Sequence, residues 1–203
     1  IVATLPLEIK GTPVIVINPL LRPDDITRLR EALELSATPV LQQPVSLSPE
    51  EDIPLSDLIT VDRIRLKVSA GNWLEVVDKA SEPLVAAGAI EPAYVKAMKQ
   101  VISKFGPYSV TWPGVVLLHA RPEDGVRHLC MSLATLSTPV RFGHPENDPV
   151  DVALVIGTVE PYSHLRALME LTELLADERA MAIIRRSSDR QEVREIISRF
   201  AHE

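Results

Sequence analysis

A proline-rich segment divides this chain of 203 residues into two unequal parts. Four prolines, at positions 39, 44, 49 and 54, recur every five residues among serine, glutamine and glutamate. Because proline lacks a backbone N–H donor and has a fixed φ, this spacing supports neither a helix nor a paired strand. We therefore predict three segments: residues 1–36, a semi-extended linker over residues 37–54, and a domain over residues 55–203. An ordered strap that lies on the neighbouring domain is the alternative for the linker.

The first segment, residues 1–36, contains one predicted strand and one predicted helix. Val14–Ile17 is a continuous β-branched run, typical of a strand buried on both faces of a parallel sheet. Asp24 opens a helix with apolar residues at i, i+3 and i+7. One strand and one helix bury too little surface to be stable alone, and the chain begins with Ile1 rather than methionine. We therefore expect a truncated α/β fragment, and a chain that is a piece of a longer polypeptide.

The segment from residue 55 onwards contains enough strands and helices for a complete domain. Its strands are grouped in the middle, with helices before and after them. This order is typical of α/β proteins and predicts a mixed-sheet α/β sandwich with helices on both faces. The predicted elements are a strand Arg63–Val68, helices Asn72–Gly88 and Pro92–Phe105, strands Val115–Leu118, Val126–Leu136 and Val150–Thr158, and helices His164–Ala176 and Asp189–Phe200.

Local signals mark several helix ends. Asn72 followed by Glu75 is a capping-box-like start. Pro83 breaks the helix that follows unless a new helix begins at Ser81, which would place the proline in its first turn. Ser188, with a glutamine three residues later, is predicted to cap the last helix.

Composition and charge exclude several classes of function. Twenty-eight acidic residues against 21 basic ones give a net charge of −7, which argues against direct nucleic-acid contact by this chain. A single cysteine excludes an intrachain disulfide and a cysteine-rich zinc site; neither a cofactor nor a metal is predicted. No apolar run is long enough to span a membrane and no signal peptide is visible, so we expect a cytoplasmic chain.

A histidine at the end of a buried strand is the strongest candidate for chemistry. His119 follows the apolar run Val115–Leu118 and precedes a turn that contains proline and glycine. A histidine at such a junction is held rigidly but can face solvent, which suits a nucleophile. A structural histidine is the alternative, and the residues alone leave both open. No glycine-rich phosphate loop, GxSxG motif or metal-spaced histidine pair on one helix competes with it.

Two stretches of sequence connect this histidine to a family. GPYSVTWPGVVLLHARPEDGV, residues 106–126, and PVRFGHPENDPV, residues 139–150, resemble the enzyme IIA domain of the bacterial phosphoenolpyruvate:sugar phosphotransferase system. The resemblance is to the mannitol/fructose type and, within it, to the ascorbate-like members, and it spans residues 55–200. One residue departs from the family pattern, since Leu118 stands where the family usually has proline.

This resemblance implies a phosphoryl carrier. His119 is then the phosphorylated histidine, and His144 donates a hydrogen bond to the phosphoryl oxygens. From its residue type, Arg121 in the following turn is a candidate for neutralising phosphate charge, and a solvated arginine is the alternative. Glu123 and Asp124 are interpreted as turn residues, because carboxylates repel a neighbouring phosphohistidine. The implied partners are the histidine-bearing carrier protein HPr, as phosphoryl donor, and an enzyme IIB-type domain. No membrane partner is implied, and a homodimer is left open.

The other candidates are interpreted as structural or solvated. Cys130 lies among apolar or small neighbours and is expected to be a buried thiol. His128 on the predicted strand, His164 at a helix start and His202 near the carboxyl end are assigned no chemistry. A basic row on the first strand of the domain is predicted to be a solvated face, with an acidic partner as the alternative; its members are Arg63, Arg65 and Lys67.

The beginning of the chain resembles a second component of the same system. IVATLPL, residues 1–7, and GTPVIVINPLL, residues 11–21, are similar to the last strands of a galactitol-type enzyme IIB domain. A IIB-like domain before a IIA-like domain is the arrangement in transcriptional regulators with phosphotransferase regulation domains, such as mannitol-operon activators and related antiterminators. We therefore expect the sensory part of a regulator of sugar uptake. Two alternatives stay open: the IIA component of a sugar permease, which passes phosphate to a IIB cysteine, and an interaction module that has lost phosphorylation.

Overall fold

The computed structural model describes residues 53–159 and 165–201. It also describes a pair of short strands near the beginning of the chain, Val2–Ala3 (β1) and Ile15–Val16 (β2), which pair in parallel.

The chain divides into two units, residues 1–48 and residues 49–203. The division falls inside the predicted linker, residues 37–54. Strand β2 lies within the predicted run Val14–Ile17, whereas the helix predicted from Asp24 lies outside the described residues.

The second unit is built on a four-stranded mixed sheet. Its strands are Ile64–Val68 (β3), Val115–Leu118 (β4), Cys130–Val140 (β5) and Val150–Gly157 (β6). Their spatial order is β3-β5-β6-β4, with β5 and β6 antiparallel and both outer pairs parallel. Every residue of β4 is buried, which accounts for its uniformly apolar sequence.

Strand β5 is displaced from the predicted span Val126–Leu136. The chain is still turning where that prediction begins, because Pro122–Asp124 form a 3-10 turn and Gly125 has a φ of 126°. At its other end β5 continues through the exposed Pro139, where the pairing with β6 becomes irregular and tolerates a missing N–H donor. The strand prediction was therefore right in kind and wrong at both ends.

Helices cover both faces of the sheet, which confirms the predicted α/β sandwich. On one face, Val116 and Leu118 pack in a core with the second and third helices; Val115 and Leu117, which point the other way, are equally buried. On that second face the first and last helices contact β5 and β3. The helices are Leu55–Leu58 (α1), Trp73–Ala86 (α2), Pro92–Phe105 (α3), Leu165–Ala176 (α4), Glu178–Arg186 (α5) and Arg190–Ser198 (α6).

Helix α2 runs unbroken through Pro83, where the sequence predicts a break. Its start is as predicted, since the Asn72 side chain accepts the N–H of Glu75 at 3.1 Å. The Pro83 ring is buried. The free energy gained by burying this apolar ring offsets the loss of the helical hydrogen bond that proline cannot make. Packing therefore outweighs the tendency of proline to end a helix.

The carboxyl-terminal region contains a helix that the sequence analysis does not predict. This helix, α5, is capped by Asp177, which accepts its first backbone N–H groups at 2.9 Å. The next helix, α6, is capped by Asp189, which accepts the N–H of Gln191 at 2.8 Å. The predicted cap, Ser188, is wrong by one residue, because the capping side chain must bond the second or third helical N–H.

A buried carboxylate holds the beginning of the predicted domain. Glu170 of α4 is fully buried, and its Oε2 accepts the backbone N–H of Leu55 at 2.7 Å. Its Oε1 accepts a hydrogen bond from Nε of Arg166 at 2.9 Å. A buried charge needs such partners, so the contact ties the first turn of α1 to α4.

Replacing Gly157 with alanine is expected to lower the free energy of unfolding by about 1–3 kcal/mol, the usual cost of overpacking a core. The new Cβ would lie 3.0 Å from Sγ of Cys130, 3.1 Å from Cγ1 of Val126 and 3.2 Å from Cγ2 of Ile90. Urea denaturation measures the loss. Gly71→Ala is the control, because its Cβ would meet nothing closer than 3.6 Å. Equal stability of the two variants would contradict this packing.

Candidate functional site

His119 is the first residue after β4, at the edge of the sheet. The preceding residue, Leu118, is fully buried and pairs with Val155 of β6. A buried and paired strand gives the His119 backbone a fixed position. The His119 side chain is half-buried, so the structure places it at the strand end that the sequence predicts.

One hydrogen bond determines which nitrogen of His119 is the nucleophile. Nδ1 lies 3.1 Å from the carbonyl oxygen of Leu117. A carbonyl only accepts, so Nδ1 carries the proton and the lone pair of the neutral ring is on Nε2. Nε2 is shielded from solvent in this structure. A reaction partner therefore has to displace the atoms that cover Nε2 before it reaches the lone pair.

A buried tyrosine hydroxyl joins the residue after His119 to the central strand. Oη of Tyr94, in α3, accepts the N–H of Ala120 at 3.0 Å and donates to the carbonyl of Ile156 at 2.7 Å. Burial raises the pKa of the Tyr94 hydroxyl well above its ordinary value, so the hydroxyl keeps its proton. We call this group the Tyr94 clamp; it fixes the exit of the chain from β4.

The turn after His119 is stabilised by its own residues. The N–H of Arg121 donates to Oδ2 of Asp124 at 3.2 Å, and the N–H of Asp124 donates back to the Arg121 carbonyl at 3.0 Å. Asp124 is thus the turn residue that the sequence predicts, and Glu123 is exposed beside it. The Arg121 side chain is exposed two residues beyond His119.

The structure does not bring His144 to His119. Residue 144 lies in the loop between β5 and β6, beyond the end of the sheet where Val140 pairs with Val150. His119 follows Leu118, which pairs with Val155 of β6. Val155 is five residues after Val150, so these two positions of β6 are about 17 Å apart along the extended strand.

The ring of His144 is engaged within its own loop. Its Nδ1 accepts the N–H groups of Glu146 at 3.2 Å and of Asn147 at 3.0 Å. The expected hydrogen bond from His144 to a phosphoryl group on His119 does not fit this position. The antiparallel turn from β5 to β6 sends that loop to the opposite end of the sheet.

Most of the lesser candidates lie where the sequence predicts. Cys130 is fully buried, and burial raises the pKa of its thiol to about 11. His128 is exposed, in the loop before β5 rather than on the strand. His164 and His202 lie outside the described residues.

The predicted basic row is exposed at Lys67 and half-buried at Arg63 and Arg65. Nζ of Lys67 donates to the carbonyl of Arg185 at 2.5 Å, and Nη1 of Arg63, the residue before β3, donates to the carbonyl of Leu58 at 3.0 Å. Nε of Arg65 is shielded from solvent. The solvated face that the sequence predicts is therefore observed at Lys67, whereas the two arginines are partly covered.

No metal centre and no membrane span is found in the described part of the chain. Over residues 53–159 and 165–201, the histidine, cysteine and acidic side chains form no group of three that could hold a metal ion. No helix in those ranges is both long and apolar enough to cross a bilayer.

Tyr94 lies in the predicted helix Pro92–Phe105 and is not among the predicted site residues. Its hydroxyl is nevertheless the link between α3, Ala120 and Ile156. A signal for it exists, because a buried tyrosine hydroxyl usually has a hydrogen-bond partner. Which partner it finds depends on how α3 packs against the sheet.

Removing the Tyr94 hydroxyl is expected to destabilise the domain by about 1–3 kcal/mol, because it leaves the Ala120 N–H and the Ile156 carbonyl unsatisfied. The variant is Tyr94→Phe, and the measurements are urea denaturation and amide exchange at Ala120. Tyr108→Phe is the control, since its hydroxyl makes no such link among the described residues. Unchanged exchange at Ala120 in Tyr94→Phe would rule out the clamp.

The Cys130 thiol is expected to resist an aromatic disulfide reagent in the folded protein. With a pKa of about 11, roughly a thousandth of it is thiolate at pH 8, and the side chain is buried. Reaction should become fast in denaturing urea, where the pKa returns to its ordinary value. The chain has one cysteine, so the signal is unambiguous. Rapid labelling without urea would contradict this burial.

Comparison with known proteins identifies the family. The family model for the phosphoenolpyruvate-dependent sugar phosphotransferase system, EIIA 2, matches residues 57–200. The ascorbate-specific PTS system EIIA component of Salmonella typhi is 39% identical over 137 residues, which are 67% of this chain and 89% of that protein.

Two solved structures share the fold. The mannitol-specific cryptic phosphotransferase enzyme IIA CmtB from Escherichia coli superimposes with a TM-score of 0.65 at 32% identity, covering 72% of this chain and 99% of that one. The complex of enzyme IIAMTL and phosphorylated enzyme IIBMTL from Escherichia coli gives a TM-score of 0.60 at 25% identity, covering 70% of this chain and 99% of the matched one. The chain therefore belongs to the EIIA 2 family of the phosphoenolpyruvate-dependent sugar phosphotransferase system, a family of phosphoryl carriers.

Proposed function

We propose that Nε2 of His119 accepts a phosphoryl group from HPr and passes it to a cysteine of an enzyme IIB domain. The observation that carries the proposal is the hydrogen bond between Nδ1–H of His119 and the Leu117 carbonyl. This bond leaves the lone pair of the imidazole on Nε2. The backbone of His119 is held on one side by a buried strand and on the other by the Tyr94 clamp.

Both transfers balance without a cofactor. In the first, the Nε2 lone pair attacks phosphorus, a P–N bond forms on His119, and the P–N bond to the HPr histidine breaks. Positive charge develops on the His119 ring, and the Leu117 carbonyl stabilises it through Nδ1–H. In the second, the IIB thiolate attacks phosphorus, and His119 leaves as the same neutral tautomer that began the cycle.

The relatives support an enzyme IIB domain as acceptor. One solved neighbour is itself a complex of a IIA enzyme with a phosphorylated IIB enzyme. The curated relative is an ascorbate-specific EIIA component, which favours the IIB domain of an ascorbate-type system as the partner. The sugar itself would be handled by the rest of the permease.

Arg121 is the cation that we propose for the phosphoryl group. It lies two residues beyond His119, at the start of a turn that Asp124 stabilises, and its side chain is exposed. Among the described residues its guanidinium makes no ion pair with a carboxylate, so its charge is available to an incoming anion. His144 is not included, because its loop lies at the other end of the sheet.

The sequence predicts the sensory domain of a transcriptional regulator, and that setting stays a prediction. It depends on the IIB-like resemblance of the first residues of the chain. The curated relative is named as the EIIA component of an ascorbate-specific PTS system, which favours the permease alternative. The two settings differ in the domains that accompany this one, namely a nucleic-acid-binding module or a membrane domain, so the sequence of the parent gene decides between them.

Replacing His119 with glutamine is expected to abolish phosphorylation, because glutamine has no nucleophilic ring nitrogen. The chain is incubated with labelled phosphoenolpyruvate, enzyme I and HPr, and acid-labile label on the protein is counted. His144→Gln is the matched control, and it should retain the wild-type extent and rate of labelling.

Each result has a distinct meaning in this assay. Label that survives His119→Gln would reject His119 as the acceptor. Slow labelling of His144→Gln would restore the role that the sequence predicts for it. A wild-type chain that takes no label at all would favour an interaction module that has lost phosphorylation.

A further inference from the structure

The aromatic ring of Tyr108 lies beside the ring of His119. Their centroids are 5.9 Å apart and their planes make an angle of 82°, an edge-to-face arrangement. Such pairs attract because the positive edge of one ring meets the negative face of the other. Tyr108 is therefore in contact with the proposed acceptor through its ring.

The backbone on both sides of Tyr108 holds it against His119. The carbonyl of Pro107 accepts the N–H of Val110 at 3.0 Å, which closes a turn around Tyr108. The carbonyl of Ser109 accepts the N–H of Leu117 at 2.8 Å. The segment that carries Tyr108 is thus bonded to the strand that carries His119.

The Tyr108 side chain is neutral at physiological pH, as any tyrosine with an ordinary pKa is. Partial burial raises the pKa of its hydroxyl further, which adds to the cost of forming a phenolate there. A negative charge beside a phosphohistidine would repel the phosphoryl oxygens. A neutral ring is compatible with both the free and the phosphorylated histidine.

Rotation of the His119 ring would change the position of both of its nitrogens. The hydrogen bond from Nδ1 to the Leu117 carbonyl restrains one side of the imidazole. The terminal side-chain torsion of histidine is intrinsically soft, with a broad and roughly twofold distribution of angles. A rotated ring breaks that bond and loses the preference for the tautomer with its lone pair on Nε2. The edge-to-face contact with Tyr108 opposes this rotation from a second direction.

We propose that Tyr108 is a positioning residue for phosphoryl transfer, whose aromatic ring holds the His119 imidazole in the orientation that keeps Nδ1–H on the Leu117 carbonyl and the lone pair on Nε2. The inference rests on His119 being the acceptor. It assigns the role to the ring of Tyr108 and not to its hydroxyl.

Tyr108→Leu and Tyr108→Phe separate the ring from the hydroxyl. The measurement is the initial rate of transfer from phospho-HPr to the full chain, at several phospho-HPr concentrations, so that kcat and KM are obtained separately. In Tyr108→Leu we expect kcat to fall about two- to tenfold, as for the loss of one aromatic pair, with KM unchanged. Tyr108→Phe should keep the wild-type kcat. Phe105→Leu, which removes an exposed aromatic ring from the same region, should also be unaffected.

A second readout reports directly on the ring of His119. Nitrogen-15 spectra of the imidazole distinguish the two neutral tautomers, and Tyr108→Leu should lower the population with the proton on Nδ1. A loss of packing alone would lower the melting temperature without changing this population or the kcat of the folded protein. If Tyr108→Leu does not fold, Tyr108→Met, of similar volume, is measured in its place.

The outcomes separate this inference from the proposed function. If the wild-type chain takes no label on His119, the proposed function fails. If the wild-type chain is labelled and Tyr108→Leu has the wild-type kcat and tautomer population, only the positioning role fails. An equal loss of kcat in Tyr108→Phe and Tyr108→Leu would overturn the role of the ring and assign the effect to the hydroxyl.

Discussion

The parallel pairing of β4 with β6 is the constraint on which the site depends. It buries four consecutive apolar residues and ends at Leu118, so that the next residue, His119, emerges from a backbone that cannot shift. Burial of these four apolar side chains supplies this rigidity. The chemistry of the site therefore begins where the buried strand ends.

Three further contacts refine that position, and each acts on a different part of the histidine. The Tyr94 clamp holds the following residue, Ala120, to the end of β6. The Leu117 carbonyl selects the tautomer, and the ring of Tyr108 opposes rotation. Both tyrosines are neutral at physiological pH, so the site holds the imidazole without placing a negative charge beside a phosphoryl group.

Much of the fold can be predicted from the sequence, because the pattern of buried and exposed positions within one strand or helix is set by neighbouring residues. The apolar run of β4, the bounds of α3 and the asparagine cap of α2 agree with the predictions from sequence. The errors lie where tertiary contacts override local signals. Pro83 continues a helix because its ring is buried, and β5 starts late because the 3-10 turn at Pro122–Asp124 has to be completed first.

The sequence alone determined the fold class, the candidate nucleophile and the family resemblance, since a buried strand followed by histidine and a turn is written in consecutive residues. Only the tertiary structure decided which distant residues accompany that histidine. The antiparallel direction of β5 and β6 places His144 far from His119. The packing of α3 on the sheet brings Tyr94 to Ala120, the residue after His119. The physical reason is that the direction of strand pairing and the packing of a helix on the sheet are properties of contacts between distant segments, and no single segment encodes them.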